Sequence, residues 1–293
     1  MLTMPQIPDV HFKESHLPEV GFEVIDLASI YRRHESGNLP FANVPHRITF
    51  HNLLLITQGT GEHLVDFHQF PVSKGSIVFI NKGQVHKFDT KQKPQGKLIV
   101  FTEEYIQRVT SNAGIQILPP THFISSALPS FRVDEVTREQ LAHLIQLIES
   151  EFHAYHINIK YLQTLLAALL IKTSEGRPDI YHSSMKQYQV ALFNRFITLL
   201  EQNYSKTRDA NDYAELLGTT YKTLNKLCKL VTNKTAKQLI DAYTILEAKR
   251  RLIVEKYQIQ QLSESLGFDE PSNFVKYFKK HTLMTPSQFR NSN

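Results

Sequence analysis

One cysteine, Cys228, and no tryptophan occur among 293 residues. A lone thiol excludes an intrachain disulfide and any zinc site built on several cysteines. Long apolar runs are also missing: the stretch from Leu165 to Ile171 is far too short to cross a bilayer. The first ten residues, Met1 to Val10, have neither the basic start nor the apolar core of a secretory signal. Fourteen histidines are present, thirteen of them before residue 184, yet no two stand at His-x-His spacing. His46, His51, His63, His68 and His86 have no recognisable metal-ligand spacing. No glycine-rich phosphate loop, nucleophile elbow or paired-acid motif is found. These absences predict a cytoplasmic protein with no membrane span, and they leave no metal, cofactor or catalytic residue to assign.

The charge is unevenly placed. Residues 184–293 carry 17 Lys and Arg against 10 Asp and Glu, whereas residues 1–183 carry 16 against 18. A basic C-terminal part behind a nearly neutral N-terminal one suits a polyanion partner, although a solvated basic surface explains charge alone equally well.

From about residue 20 to 133 the chain reads as strands. Phe50 to Thr57, Glu62 to Phe67 and Ser76 to Ile80 are short apolar or alternating runs. Gln58-Gly59-Thr60-Gly61, Ser73-Lys74-Gly75 and Asn81-Lys82-Gly83 punctuate them as turns, a spacing that predicts an antiparallel barrel or sandwich. Pro119, Pro120 and Pro129 break any helix near them. From about 134 to 173 the period becomes helical. One stripe holds Leu141, Leu144, Ile145, Ile148 and Phe152, and a second holds Leu162, Leu165, Leu166, Leu169 and Leu170. These predict an antiparallel helix pair. It either covers the barrel or, because five leucines fall in nine residues, meets a second subunit and makes a homodimer. The predicted organisation is a sensor and dimerisation domain over 1–173, a linker over 174–184 marked by Gly176, Pro178 and serines, and an all-helical domain over 185–293.

The helical domain repeats one plan. Asp212 to Gly218 is a short amphipathic helix with a glycine stop, followed by a turn and a helix from Tyr221 to Val231. Gln260 to Gly267 is followed in the same way by a helix from Pro271 to His281. This is the helix-turn-helix plan, with Gly218 and Gly267 suited to the left-handed position, Thr220 to a cap and Pro271 to the first helical turn. A long helix from Thr235 to Val254 joins the units and should fix their relative position. In the first unit Leu224, Leu227, Cys228 and Val231 face inward, while Lys222, Thr223, Asn225, Lys226 and Lys229 face wholly or partly out. In the second, Phe274, Tyr277, Phe278 and His281 face inward, opposite Ser272, Val275, Lys276 and Lys279. Donors on an outward face can bond base edges or phosphates of double-stranded DNA. A single exposed lysine is ordinary; two matching helices in tandem are not.

These residues resemble the arabinose-regulator (AraC/XylS) family of transcription regulators. The resemblance rests on Gly267-Phe268, Ser272-Asn273-Phe274, Phe278-Lys279-Lys280 and Thr285 to Arg290. Ala214 to Leu230 and Ala248 fit less closely, and His51 to Phe88 is similar to the cupin-type sensor strands of some members. It implies an α+β protein: a cupin-like antiparallel β-barrel with a helical pair, then a domain with two helix-turn-helix units. It further implies a DNA-binding activator or repressor, a small-molecule effector and RNA polymerase as a partner. Asn273 and Lys280 join the DNA-contacting set. His86 would line the effector pocket, with Arg47, His51, His63 and Phe88 as further candidates. The sequence departs from the family at Asn233 and Leu283, which replace turn glycines, at Cys228, which replaces an aromatic residue, and at Thr244, which replaces an arginine. Leu283 cannot take a left-handed turn cheaply. The competing reading is a cupin-type enzyme fused to a helical interaction module.

Overall fold

The computed structural model describes residues 9–10, 21–113, 130–176, 185–254 and 257–292. They form two compact units, whose described residues run over 9–176 and 185–292. Pro119, Pro120, Pro129 and linker positions 177–184 lie outside the described residues. Ser174 and Glu175, expected in the linker, instead end a helix that Gly176 closes.

The first unit contains β1 (Asp9–Val10), β2 (Phe22–Asp26), α1 (Leu27–Glu35), β3 (His46–Ile48), β4 (His51–Gln58), β5 (Thr60–Val65), β6 (His68–Ser73), β7 (Ser76–Ile80), β8 (Val85–Lys87), β9 (Gln95–Phe101), α2 (Glu103–Ala113), β10 (Ser130–Arg132), α3 (Glu135–Phe152) and α4 (Ile159–Glu175). The strands make two five-stranded sheets, ordered β1-β3-β8-β5-β6 and β10-β7-β4-β9-β2. Their pairings are antiparallel except β1 with β3, which is parallel. The predicted turns fall as read, with Gly59, Gly75 and Gly83 at φ 82°, 85° and 84°. The strand-only reading of residues 20–133 needs correction, because α1 and α2 interrupt it.

The second sheet is buried on both faces. On β4, Leu54 and Ile56 turn toward the first sheet and join Ile48, Val65, Val78, Ile80, Phe88, Leu98 and Val100. Leu53 and Leu55, one residue out of phase, turn the other way and meet Phe79, Ile99, Phe101 and the helices α3 and α4. Asp134 and Asn158 start those helices, accepting from Thr137 N at 2.7 Å and Tyr161 N at 3.1 Å. Leu141, Ile145 and Ile148 of α3, with Leu162, Leu165, Leu166, Leu169 and Leu170 of α4, are all buried in this layer. Each such side chain contributes roughly 1.5–3 kcal/mol of burial. The leucine stripe is therefore sheet-covering core, and the expectation that it meets a second subunit is corrected. The apolar groups that α3 leaves open are Val136 and Leu147, 65% and 45% exposed.

The second unit is helical: α5 (Gln187–Asn203), α6 (Ala210–Leu216), α7 (Tyr221–Thr232), α8 (Ala236–Val254), α9 (Ile259–Ser265), α10 (Pro271–Thr282) and α11 (Pro286–Ser292). Phe193, Phe196, Leu200, Tyr213, Leu224, Leu227, Cys228, Leu239 and Ile240 form one core. The departures from the family pattern are absorbed locally. Burial pushes the Cys228 thiol up to about 12, so it packs as a small apolar group. Thr244 is buried and donates to the Ile240 carbonyl at 2.9 Å. Asn233 and Leu283 both adopt the left-handed turn, at φ 58° and 63°. Leu283 does so although its side chain is 87% exposed and has little packing to offset the strain.

Candidate nucleic-acid interface and sensor interior

Both recognition helices start as their sequences dictate. Thr220 Oγ1 accepts from Thr223 N at 3.2 Å at the head of α7, and Pro271 occupies the first turn of α10. Gly218 and Gly267, at φ 66° and 72°, end the preceding helices and let the chain turn between the paired helices. On α7, Leu224, Leu227 and Cys228 are buried and Val231 is half-buried, while Lys222, Thr223, Lys226 and Lys229 are exposed. On α10, Phe274 and Phe278 are fully buried, while Ser272, Asn273, Lys276, Lys279 and Lys280 are exposed.

Asn225 and His281 make contacts that the helical spacing does not show. Asn225 is half-buried, and its Oδ1 accepts from Ala236 N at 3.1 Å. Its side-chain carbonyl thus satisfies an orphan donor at the start of α8. His281, read as inward, has a half-buried side chain, 26% exposed; its Nε2 lies 3.9 Å from Asp241 and its ring 4.7 Å from that of Tyr277. Tyr277 is half-buried and donates its hydroxyl to Asp241 Oδ1 at 2.8 Å, tying α10 to α8.

Within the sheet unit, three of the five effector candidates come together and two do not. His63, His86 and Phe88 are buried neighbours: ring centroids are 5.4 Å apart for His63 and His86, 5.0 Å for His86 and Phe88, and 5.6 Å for His63 and Phe88. His63 Nε2 and His86 Nδ1 share a hydrogen bond at 3.3 Å. His46, which spacing alone did not single out, completes the group, its ring 4.2 Å from that of His86. The register explains the meeting, since His86 stands opposite His46 on β3 and Val65 on β5. Arg47 follows His46 on the same strand and so points to the other face, where it is half-exposed beside Gly83. His51 also lies on the wrong face. It shares the phase of Leu53 and Leu55, stacks 5.5 Å from Phe101 and bonds Glu103 of α2 at 3.0 Å. That bond lowers the Glu103 carboxyl to about 2. Neither Arg47 nor His51 faces the space between the sheets.

Burial lowers the His46 imidazole to about 4 and His63 to about 3, and holds His86 well below its ordinary value, with neighbouring imidazoles adding to the effect on His63 and His86. All three are neutral near pH 7. His46 donates Nδ1–H to the Val44 carbonyl at 3.0 Å, which leaves its Nε2 as an acceptor. His86 Nε2 is buried with no protein partner. The interior is thus mostly aliphatic and aromatic, with the three neutral imidazoles and, on the inward face of β4, the buried Asn52, whose Oδ1 also has no protein partner. Among the described residues, no group of three or more His, Cys, Asp or Glu is placed to hold a metal ion. Also among them, no helix is long and apolar enough to cross a membrane. An open cleft of about 520 Å³ lies where the edge strands β6 and β10 approach, lined by Glu62, Val72, Ser73, Phe131 and Arg132 among others. None of the five candidates lines it.

Comparison with known proteins matches residues 32–170 to the AraC-like ligand binding domain and residues 213–292 to a helix-turn-helix domain. The chain is 20% identical over 251 residues to the HTH-type transcriptional activator RhaS of Yersinia pestis bv. Antiqua (strain Angola), covering 84% of this chain and 88% of that one. RhaS of Yersinia pseudotuberculosis serotype O:3 (strain YPIII) matches over the same shares at the same identity. Among solved structures, ToxT from Vibrio cholerae O395 is similar at TM-score 0.43 and 13% identity, covering 83% of this chain and 89% of that one. The C-terminal domain of the response regulator yesN from Fusobacterium nucleatum is similar at TM-score 0.32 and 20% identity, covering 34% and 98%. The two domain matches account for most of the chain and coincide with the two units seen here. A two-sheet effector-binding domain followed by paired recognition helices places the chain in the AraC family of transcription regulators.

Proposed function

We propose that one chain reads two successive major-groove faces with α7 and α10, and that a small effector held beside His86 between the two sheets controls this reading. The observation that carries it is the pairing of equivalent outward faces within one helical unit: Lys222, Lys226 and Lys229 on α7, and Lys276, Lys279 and Lys280 on α10. Lys226 and Lys276 stand mid-helix, where a long cation reaches guanine O6 and N7. Lys229, Lys279 and Lys280 lie further along, toward phosphate, and Lys222, Thr223, Ser272 and Asn273 line the first turns. Asn225 positions the start of α8.

The relatives' name, transcriptional activator, supports a role in activation, which would act through RNA polymerase in the cytoplasm. Domain limits of 1–173, 174–184 and 185–293 fit the two compact units, with the helix α4 running two residues past the first limit. A homodimer would use the outer face of α3, where Val136 and Leu147 lie three turns apart on one side. Leu147→Asp should then give a monomer by light scattering with its β-structure intact.

The testing experiment is footprinting with the fragment 185–293 across a salt series. An asymmetric protected region of about two helical turns, weakening steeply with salt, is expected. A short palindromic footprint, or no salt-sensitive binding, overturns the reading.

A further inference from the structure

The two helix-turn-helix units are joined by α8, but the loop leading into the first also touches the second directly. Arg208, in the loop between α5 and α6, donates from Nη1 to the Leu266 carbonyl and from Nη2 to the Gly267 carbonyl, each at 2.9 Å. Its guanidinium lies 3.8 Å above the Phe268 ring. The two carbonyls end α9, so the cation also sits at the negative end of that helix. The loop presses so close that a Cβ on Gly267 would fall 1.7 Å from the Ser205 carbonyl oxygen.

The contact continues into the recognition helix. Phe268 packs 5.4 Å from Phe274 and 5.2 Å from Tyr277, both on α10. Tyr277 in turn is held by Asp241 of α8. Arg251 of α8 binds Ser265 Oγ at 2.9 Å and the Tyr204 hydroxyl, closing the same junction from behind. A single linking helix permits bending and twisting of one unit against the other; a second, bidentate attachment away from its axis removes that freedom.

We propose that Arg208 is a positioning residue that locks the two recognition helices into one register and thereby sets the spacing of half-sites the protein accepts. The inference rests on the reading that both helices contact DNA. Inserting one base pair between half-sites shifts the second by about 3.4 Å and turns it by roughly 34°. A locked reader cannot follow that change, whereas a hinged one can.

The test uses the full chain. Wild-type protein selects its site from a random duplex library, and binding is then measured on that site and on a copy with one base pair inserted at its centre. Wild type should lose at least about 100-fold on the inserted copy. R208A should bind the selected site about tenfold more weakly, yet lose less than about tenfold on insertion. R208K keeps the charge but not the fork or the stacking, and should behave like R208A with an unchanged salt slope. Equal insertion penalties in wild type and R208A overturn the proposal. A salt slope flattened by one ion in R208A with the penalty kept makes Arg208 a phosphate contact and also overturns it. Hydrogen exchange of the free protein stands apart from DNA: R208A should speed exchange over 259–282 while leaving α7 unchanged, and equal rates there refute the lock. If selection yields no two-part site but exchange still rises, the function reading fails and the lock stands as a structural device only.

Discussion

His63 Nε2 and His86 Nδ1 lie 3.3 Å apart with both rings excluded from solvent. With His46, these imidazoles are kept neutral by the folded sheet unit but ionise at ordinary pH once it unfolds. Between pH 6.5 and about 4, the unfolded chain therefore binds protons that the folded one refuses, and stability falls as pH falls. The slope should reach up to about 1.4 kcal/mol per pH unit for each histidine. Glu103, lowered to about 2, adds its own loss only below its ordinary value of 4.5. Urea unfolding at several pH values between these limits should show His63→Phe reducing the slope by about one proton; an unchanged slope refutes the assignment.

Gly218 and Gly267 occupy equivalent turns but should respond differently to the same methyl group. Both need φ near 70°, which in alanine costs roughly 1–2 kcal/mol. A Cβ added at Gly218 would meet nothing within 4 Å, so Gly218→Ala should cost about that and no more. Gly267 abuts the Ser205 backbone, so Gly267→Ala should cost well beyond it and loosen α9 and α10. Chemical denaturation followed by circular dichroism compares them, and similar losses would mean the loop moves aside easily.

Leu283→Gly should stabilise the helical unit by roughly 0.5–1 kcal/mol, because it relieves a left-handed leucine at the cost of some unfolded-state entropy. Asn233→Gly should gain less, since asparagine tolerates that conformation. A calorimetric midpoint that stays put or drops for Leu283→Gly shows that the leucine is held by contacts made elsewhere.

Lys226→Ala and Lys276→Ala should each relax sequence preference in a different half of the DNA site, by roughly 1–3 kcal/mol. Lys279→Ala should weaken every sequence alike and flatten the salt dependence by about one ion. Affinities for the site and for versions scrambled in either half decide this. A central lysine that weakens all sequences equally is a phosphate contact.

The recognition helices were legible because their signals are local. Apolar positions three and four apart, a glycine stop and a proline or threonine start lie within twenty residues of one another. The bond from Ala236 to Asn225 is not legible there, because Ala236 lies beyond the helix. In the sheet unit the face of a side chain depends on strand parity, and β4, buried on both faces, carries no alternation to read. Hence His51 went to the wrong side, while His46 was passed over because it meets His86 only through strand pairing across forty residues. Arg208 touches residues 58 and 59 positions away, and no spacing rule announces that. The helices α1 and α2 are single short elements inside a strand-rich stretch, where turn signals dominated the pattern.

The strand β4 has one further consequence. Leu54 and Ile56 project into the space between the sheets, and Leu53 and Leu55 project from the same backbone into the layer of α3 and α4. Only one peptide thickness separates the two sides. A molecule wedged against the inner pair would displace a backbone that carries the outer pair with it, and that outer pair packs among the buried leucines of α4. In the proposed reading, an effector held between the sheets would press on the outer helices by leverage through this single strand.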